Sequence, residues 1–208
     1  MKRVLSVLMF SMLGAVSVAH AASAPVAGKD YEVLKSQQAA PVSAGKVNVT
    51  EFFWYGCPHC AEFEPILEAW AHKEGNRIDL QRVPVAMNSE LTPHSRMYYT
   101  LAALGDAERL MPTVFNAIGK GQALLTPQAQ ADFLARYGIN KAQYLQTYNS
   151  PRVQEDVSHA AKLIRDDDIN GVPTVVVNDQ YETGPGYTNS LDGTVPVLNY
   201  LVERATRK

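Results

Sequence analysis

Cysteine is scarce in this sequence, which has only two among 208 residues. Both belong to one short motif, Cys57-Pro58-His59-Cys60. With no other cysteine present, the chain has no cysteine for lipid attachment near its N-terminus. A disulfide within the motif would close a loop of only four residues and would restrict the unfolded chain little. A purely structural role for the pair is therefore the weaker interpretation.

Further metal or haem ligands are also lacking. A zinc site needs four ligands and usually brings a second C-x-x-C or a spaced histidine pair. Beyond the N-terminal segment, the sequence adds to His59 only the isolated His72, His94 and His159. Attachment of c-type haem requires a histidine directly after the second cysteine, a position held here by Ala61. The pair therefore predicts redox chemistry, and we expect neither a metal site nor a cofactor.

Long hydrophobic runs are absent after the N-terminal segment. Lys2 and Arg3 precede an apolar stretch over residues 4–18, and an A-x-A motif follows at residues 19–21. This pattern predicts a cleaved signal peptide over residues 1–21. No later stretch approaches the length of a transmembrane helix. We therefore expect a soluble, exported protein in an oxidising compartment, which we take to be the bacterial periplasm.

Charge of either sign is low. The formal net charge is −2, and removal of residues 1–21 takes away two basic residues and no acidic one, which leaves −4. A mildly acidic chain is not expected to bind nucleic acid.

An apolar stretch over residues 46–55 leads into the cysteine pair, and apolar residues at helical spacing follow over residues 57–71. A C-x-x-C between a buried strand and a helix is typical of a thioredoxin-like redox centre. The start of a helix offers unpaired N–H groups and the positive end of its dipole to Cys57. We therefore predict that Cys57 is a stabilised thiolate at the exposed helix end. Cys60, one turn further in, is the expected resolving thiol.

The rest of the pattern predicts an α/β protein with a thioredoxin-like fold and an inserted helical domain. A strand is expected at residues 77–83, a hairpin at 174–177 and 180–183, and an edge strand near 31–34. The predicted helices cover residues 92–104, 107–120, 127–137, 141–149, 151–168 and 195–206. The predicted domains are two thioredoxin-like parts, 22–87 and 169–208, and the helical insertion, 88–168.

Three motifs and the helical insertion together resemble the DsbA family of periplasmic thiol:disulfide oxidoreductases. The motifs are Glu51-Phe52-Phe53, Cys57-Pro58-His59-Cys60 and Gly171-Val172-Pro173-Thr174. The resemblance covers nearly the whole mature chain. A basic residue that this family places near the buried end of the active-site helix is matched here only by Arg82.

Two further side chains have predicted catalytic roles. His59 lies between the cysteines, where a protonated or donor imidazole would stabilise the Cys57 thiolate; a solvent-exposed loop residue is the alternative. Glu51 breaks an apolar strand, and a buried carboxylate near Cys60 could move a proton as the disulfide opens or forms. Its alternative is a carboxylate at the strand end that faces water.

The resemblance also implies a substrate-binding surface. It implies that Pro173 follows a cis peptide bond and faces the cysteine pair, so that the backbone of Val172 pairs with an extended substrate. Pro58 and these two residues are the expected substrate contacts.

The sequence thus predicts a dithiol oxidase that donates the Cys57–Cys60 disulfide to exported, unfolded proteins. The resemblance implies reoxidation by a membrane quinone reductase of the DsbB type, and we expect a monomer. Two alternatives remain: a disulfide isomerase or reductase, which in this class carries an N-terminal dimerisation domain, and a peptide-binding holdase with incidental cysteines.

Overall fold

The computed structural model describes residues 23–34, 45–86 and 88–207. The predicted signal peptide lies outside these residues. Within them, no helix combines the length and the apolar character needed to cross a membrane.

A five-stranded mixed sheet forms the centre of the fold. Its strands are β1 (Glu32–Val33), β2 (Val47–Phe53), β3 (Ile78–Pro84), β4 (Thr174–Val177) and β5 (Tyr181–Thr183). Their order in the sheet is β1-β5-β4-β2-β3. β2 and β3 are parallel, and the other pairs are antiparallel. All five predicted strands are confirmed, with ends that differ by at most two residues.

Eight helices accompany the sheet in the described part of the chain. They are α1 (Pro58–Glu74), α2 (Thr92–Leu104), α3 (Ala107–Gly119), α4 (Pro127–Ala135), α5 (Lys141–Tyr148), α6 (Pro151–Asp166), α7 (Pro185–Thr188) and α8 (Leu191–Thr206). The prediction missed the single turn of α7 and began the last helix four residues too late. Its true start follows Ser190, whose hydroxyl accepts a hydrogen bond from the Gly193 N–H and caps the first turn.

The turn between β4 and β5 is the predicted Asn178-Asp179 pair. Both residues have positive φ, 55° and 52°. Two left-handed residues in succession suit the twist of a tight hairpin, and Asn and Asp tolerate that conformation. The turn fixes the register in which Val177 faces Tyr181.

The two faces of the sheet pack against different helices because successive side chains of a strand alternate. Val175 and Val177 are buried with residues of α1 and α8. Val176, between them, is buried with Phe52 and with Ala160 of α6. The central strands are therefore covered on both faces, as their continuous apolar sequence predicts.

Helices α2 to α6 lie between β3 and β4 and have their own core. Met97, Leu101, Met111 and Leu134 are fully buried there. Phe53 at the end of β2 belongs to the same hydrophobic cluster. The end of the central strand is thus packed into the helical insertion, and this places the cysteine motif where the two parts meet. The exact domain boundaries remain a prediction.

Candidate active site

The cysteine motif begins where β2 gives way to α1. Cys57 is the N-cap of α1, its N–H donates to the carbonyl of Trp54 at 2.9 Å, and Pro58 opens the helix. Gly56 lies under the Trp54 ring, where an added Cβ would come within 2.2 Å of the indole. Only glycine fits this tight approach, so the local sequence fixes the path of the chain into the motif.

Cys57 faces the loop before β4. Its Sγ lies 3.6 Å from the carbonyl oxygen of Val172, and the Val172–Pro173 bond is cis, as the resemblance implied. The prediction of an exposed sulfur needs correction, because Cys57 is only 9% exposed. The cause is its packing in the hydrophobic cluster that includes Phe53 and Tyr55. Only a small part of the Cys57 surface is therefore open to solvent.

Cys60 is fully buried behind Cys57. Burial raises the pKa of its thiol well above the ordinary value, against a smaller opposing effect of a backbone hydrogen bond from Trp54. A buried thiol of this kind stays protonated at neutral pH and is a poor nucleophile towards molecules in solution. The arrangement matches the predicted division of labour, with Cys57 outside and Cys60 inside.

His59 is exposed and does not contact Cys57 by a hydrogen bond in the described part of the chain. It lines a groove of about 390 Å³ together with Val172, Pro173 and Tyr187. The proposed stabilisation of the Cys57 thiolate by His59 therefore does not depend on a direct hydrogen bond in this structure. It would act electrostatically over a distance, or through a contact that forms in a complex with substrate. Pro58 lines a second, larger groove between α1 and α3, which Cys57 also lines.

Glu51 is fully buried in the middle of β2. Its Oε2 accepts a hydrogen bond from Nε of Arg82 at 3.1 Å, and its Oε1 is buried without a partner. Burial, with a further contribution from the charge of Glu64, raises the pKa of Glu51 to about 8, although Arg82 opposes the shift. The alternative of a carboxylate that faces water is thus wrong: Glu51 is a buried acid whose pKa is raised above the ordinary value.

Arg82 lies beside Glu51 because β2 and β3 pair in parallel with these two residues in register. Besides Glu51 it donates to Glu64 at 2.9 Å, to Glu68 at 2.6 Å and to Glu108. Burial disfavours its charge, but the surrounding carboxylates outweigh burial and raise the pKa of Arg82, so it remains a cation.

Sequence reasoning did not identify the three additional glutamates. Glu64 and Glu68 lie one turn apart on α1, a spacing that places them on one face, and this was an available signal. Nothing in the sequence links them to Glu108 of α3. The carboxylate oxygens of the three lie within 4.8 Å of one another. That spacing would suit a cation, and here the guanidinium of Arg82 fulfils this role.

Sequence reasoning also missed a set of hydrogen bonds that holds the Trp54 side chain in place. The indole N–H of Trp54 donates to Nδ1 of His94 at 3.3 Å, and Nε2 of His94 lies 2.7 Å from the carbonyl of Ala123. Burial lowers the pKa of His94, which keeps the ring neutral and its Nδ1 free to accept. His94 thus links the turn before Cys57 to the helical insertion.

Comparisons with known proteins identify the family of this chain. The model of the DsbA-like thioredoxin domain family matches residues 48–193. The thiol:disulfide interchange protein DsbA of Burkholderia cepacia is 53% identical over 100% of this chain and 99% of that protein. DsbA of Pseudomonas aeruginosa is 36% identical over 98% of this chain and 97% of its own length.

Solved structures give the same result. The crystal structure of DsbA from Pseudomonas aeruginosa has a TM-score of 0.81 at 38% identity and covers 86% of this chain and 94% of that one. The oxidoreductase DsbA from Xylella fastidiosa has a TM-score of 0.80 at 32% identity and covers 89% of this chain and 100% of that one. The chain belongs to the DsbA-like thioredoxin domain family and is a thiol:disulfide oxidoreductase whose redox pair is Cys57 and Cys60.

Proposed function

We propose that the protein is a periplasmic dithiol oxidase that donates the Cys57–Cys60 disulfide to exported, still unfolded polypeptides. The observation that carries the proposal is the asymmetry of the pair. Cys57 caps the N-terminus of α1 beside the Val172 carbonyl, whereas Cys60 is fully buried. Such an arrangement favours charge on the outer sulfur and exposes only that sulfur to a partner.

The first step is attack by a substrate thiolate on Sγ of Cys57. A sulfur–sulfur bond forms between substrate and Cys57, the Cys57–Cys60 bond breaks, and its electron pair goes to the sulfur of Cys60. Burial raises the pKa of Cys60, so this sulfur must take up a proton as it leaves. Glu51 has a pKa of about 8 and lies close enough to influence Cys60 electrostatically. We assign Glu51 the role of supplying that proton.

The second step releases the product. A second substrate thiolate attacks the substrate sulfur of the mixed disulfide, which forms the substrate disulfide and returns the electron pair to Cys57. The protein is reduced by two electrons and the substrate is oxidised by two. Charge on Cys57 is stabilised at the helix N-terminus, where the first N–H groups have no partner within the helix. That stabilisation makes Cys57 a good leaving group.

Backbone pairing would hold the substrate during these steps. The Val172 carbonyl points at Cys57, so an extended chain bound to Cys57 passes beside this loop. Pro173 and His59 line the groove beside this loop, and Pro58 lines the groove between α1 and α3. Strand-like backbone pairing gives affinity without sequence selectivity, which suits unfolded substrates.

Continued turnover requires an oxidant for the reduced pair. By analogy with the family, we assign this role to a membrane quinone reductase of the DsbB type, with the periplasm as the compartment. The direct test is to mix the oxidised protein with a reduced, unfolded protein that has two cysteines and to follow substrate disulfides by alkylation and mass spectrometry. Stoichiometric oxidation supports the proposal, and a protein that keeps its own disulfide contradicts it.

A further inference from the structure

A groove of about 910 Å³ runs between α1 and α3, on the side of Cys57 opposite the Val172 loop. We call it the α1–α3 groove. Its apolar lining residues include Tyr55, Pro58, Pro65, Ala69, Pro112 and Phe115. Cys57 itself lines one end, so a polypeptide attached to that sulfur can continue directly into the groove.

The groove is strongly acidic along its length. Four glutamates line it, and the only Lys, Arg or His side chains among its lining residues are His72 and Lys120. The glutamates are Glu62, Glu64, Glu68 and Glu108. Arg82 lies behind the floor with its side chain only 3% exposed and neutralises one negative charge. The side chains of Glu68 and Glu108 are 43% and 57% exposed, so their carboxylates are open to a molecule in the groove.

One oxygen of the Glu64 carboxylate lacks a hydrogen-bond partner. Glu64 is 6% exposed, and only its Oε1 accepts a hydrogen bond from Arg82. Its Oε2 is buried with no hydrogen-bond partner. A buried acceptor without a donor costs free energy. A cationic N–H group in the groove would reduce the repulsion among the glutamates and would supply the missing kind of donor.

The distance along α1 between Cys57 and Glu68 sets how far from its cysteine a substrate should carry that cation. Glu68 follows Pro58 by ten residues of α1, which is about 15 Å along the helix axis. An extended polypeptide covers about 3.3 Å per residue. A chain bound to Cys57 therefore reaches the Glu68 and Glu108 carboxylates with the side chain that lies roughly four or five residues from its cysteine.

We propose that the α1–α3 groove is a specificity site for substrate polypeptides that carry Lys or Arg four or five residues from the reacting cysteine, with apolar residues between. This inference rests on the proposed function, because it assumes that a substrate is attached to Cys57. Apolar walls bind the intervening side chains, and the glutamates bind the cation. Unfolded substrates with an acidic residue at the same place are disfavoured by repulsion.

Single-cysteine peptides test the proposal with the full oxidised protein. One series carries Leu residues and then Lys, Gln or Glu at the fourth or fifth position after the cysteine, and a second series carries them before it. In excess peptide, two peptide thiols become one peptide disulfide while the Cys57–Cys60 disulfide is reduced. The rate of that reduction is measured for each peptide at low and high salt.

The Lys peptide of at least one series should react about fivefold faster than its Gln counterpart at low salt, roughly the effect of one partly screened ion pair. The ratio between the rates of the Lys and Gln peptides should fall at high salt, because salt screens the charges. Ala69→Lys adds a cation to the groove and should abolish the preference. Gln154→Lys adds the same charge on the exposed face of α6, outside the groove, and should retain it.

The outcomes distinguish the inferred specificity site from the proposed oxidase function. Equal rates for Lys, Gln and Glu peptides in both series overturn the inference and leave the oxidase function intact. A lysine preference that survives Ala69→Lys also overturns it, because the cation is then recognised elsewhere. If no peptide reduces the protein disulfide, the proposed function itself fails.

Discussion

Nε of Arg82 donates to Oε2 of Glu51 at 3.1 Å, while Oε1 of the same carboxyl group has no partner. The pair is held by the parallel register of β2 and β3 and is fully enclosed. Glu51 therefore has one oxygen fixed by a cation and one oxygen free to hold a proton. This geometry, with a pKa of about 8, is the basis for its assignment as the proton donor to Cys60.

Replacement of Glu51 by Gln should change how stability depends on pH. The folded pKa of about 8 exceeds the ordinary 4.5, so between these values the folded state binds more protons than the unfolded state. Wild-type stability must then fall as pH rises from 4.5 to 8. Glu51→Gln removes this loss, so its free energy of unfolding relative to wild type should rise from pH 5 to pH 8, by an amount on the order of 5 kcal/mol at most.

Urea unfolding at pH 5, 6, 7 and 8 measures this difference. Glu203→Gln, at an exposed position of α8, controls for the general loss of one carboxylate. Parallel curves for wild type and Glu51→Gln across this range would show that Glu51 does not titrate as assigned.

Arg82→Lys tests whether the planar guanidinium is needed. Lysine keeps the charge but cannot donate to four carboxylates at once. We expect a loss of about 2 kcal/mol in the free energy of unfolding, because some buried carboxylates lose their donor. Arg207→Lys, in an exposed pair with Glu203, is the matched control and should change stability by less than about 0.5 kcal/mol. Equal effects of the two substitutions would contradict the structural role of Arg82.

The assignment of the attacking sulfur predicts different trapping by two serine variants. Cys60→Ser keeps the reachable sulfur and cannot resolve a mixed disulfide, so it should accumulate protein–substrate disulfides. Cys57→Ser leaves only the fully buried Cys60 and should accumulate few. Non-reducing gels of both variants with reduced unfolded protein measure this. Similar amounts of trapped complex would mean that Cys60 is also reached by substrate.

His94→Phe should release the indole N–H of Trp54 from the acceptor described for it, Nδ1 of His94. Burial lowers the pKa of His94, so below about 6.5 the unfolded state binds more protons and wild-type stability falls with falling pH. The free energy of unfolding of His94→Phe should therefore fall less than that of wild type as the pH drops below about 6.5. It should also shift the emission of Trp54, measured in a Trp70→Phe background. Unchanged emission and an unchanged acid profile would remove the proposed positioning role.

The parts of this structure that follow short-range rules were predictable from sequence. The strand–cysteine–helix order, the helix that ends at Gly105 and the Asn178-Asp179 turn each depend on a few neighbouring residues. Pro173 and Val172 were placed by resemblance, and the contact with Cys57 agrees with that placement.

Relationships between distant segments were not predictable. Arg82 meets glutamates from β2, α1 and α3 because helix packing brings three parts of the chain to one strand end. The exposure of Cys57 was overestimated for the same reason. A position at a helix N-terminus alone suggests that the Cys57 sulfur is open to solvent. In the structure, residues of the helical insertion pack with Tyr55 and Cys57 in one hydrophobic cluster and cover the sulfur.

The central claim is that the Cys57–Cys60 disulfide is an oxidant, and this requires the reduced protein to be the more stable form. Closing a four-residue loop should stabilise the oxidised form by only about 2 kcal/mol. In the reduced form, the N-terminus of α1 stabilises negative charge on Cys57, and we expect this effect to be the larger.

Thermal unfolding of the oxidised and reduced protein at pH 7 measures this difference directly. A Cys57→Ser, Cys60→Ser double variant, with and without reductant, controls for effects of the reductant itself. The account predicts that the reduced protein has the higher Tm at pH 7. An oxidised protein with the higher Tm at pH 7 would contradict the assignment of this chain as a disulfide donor.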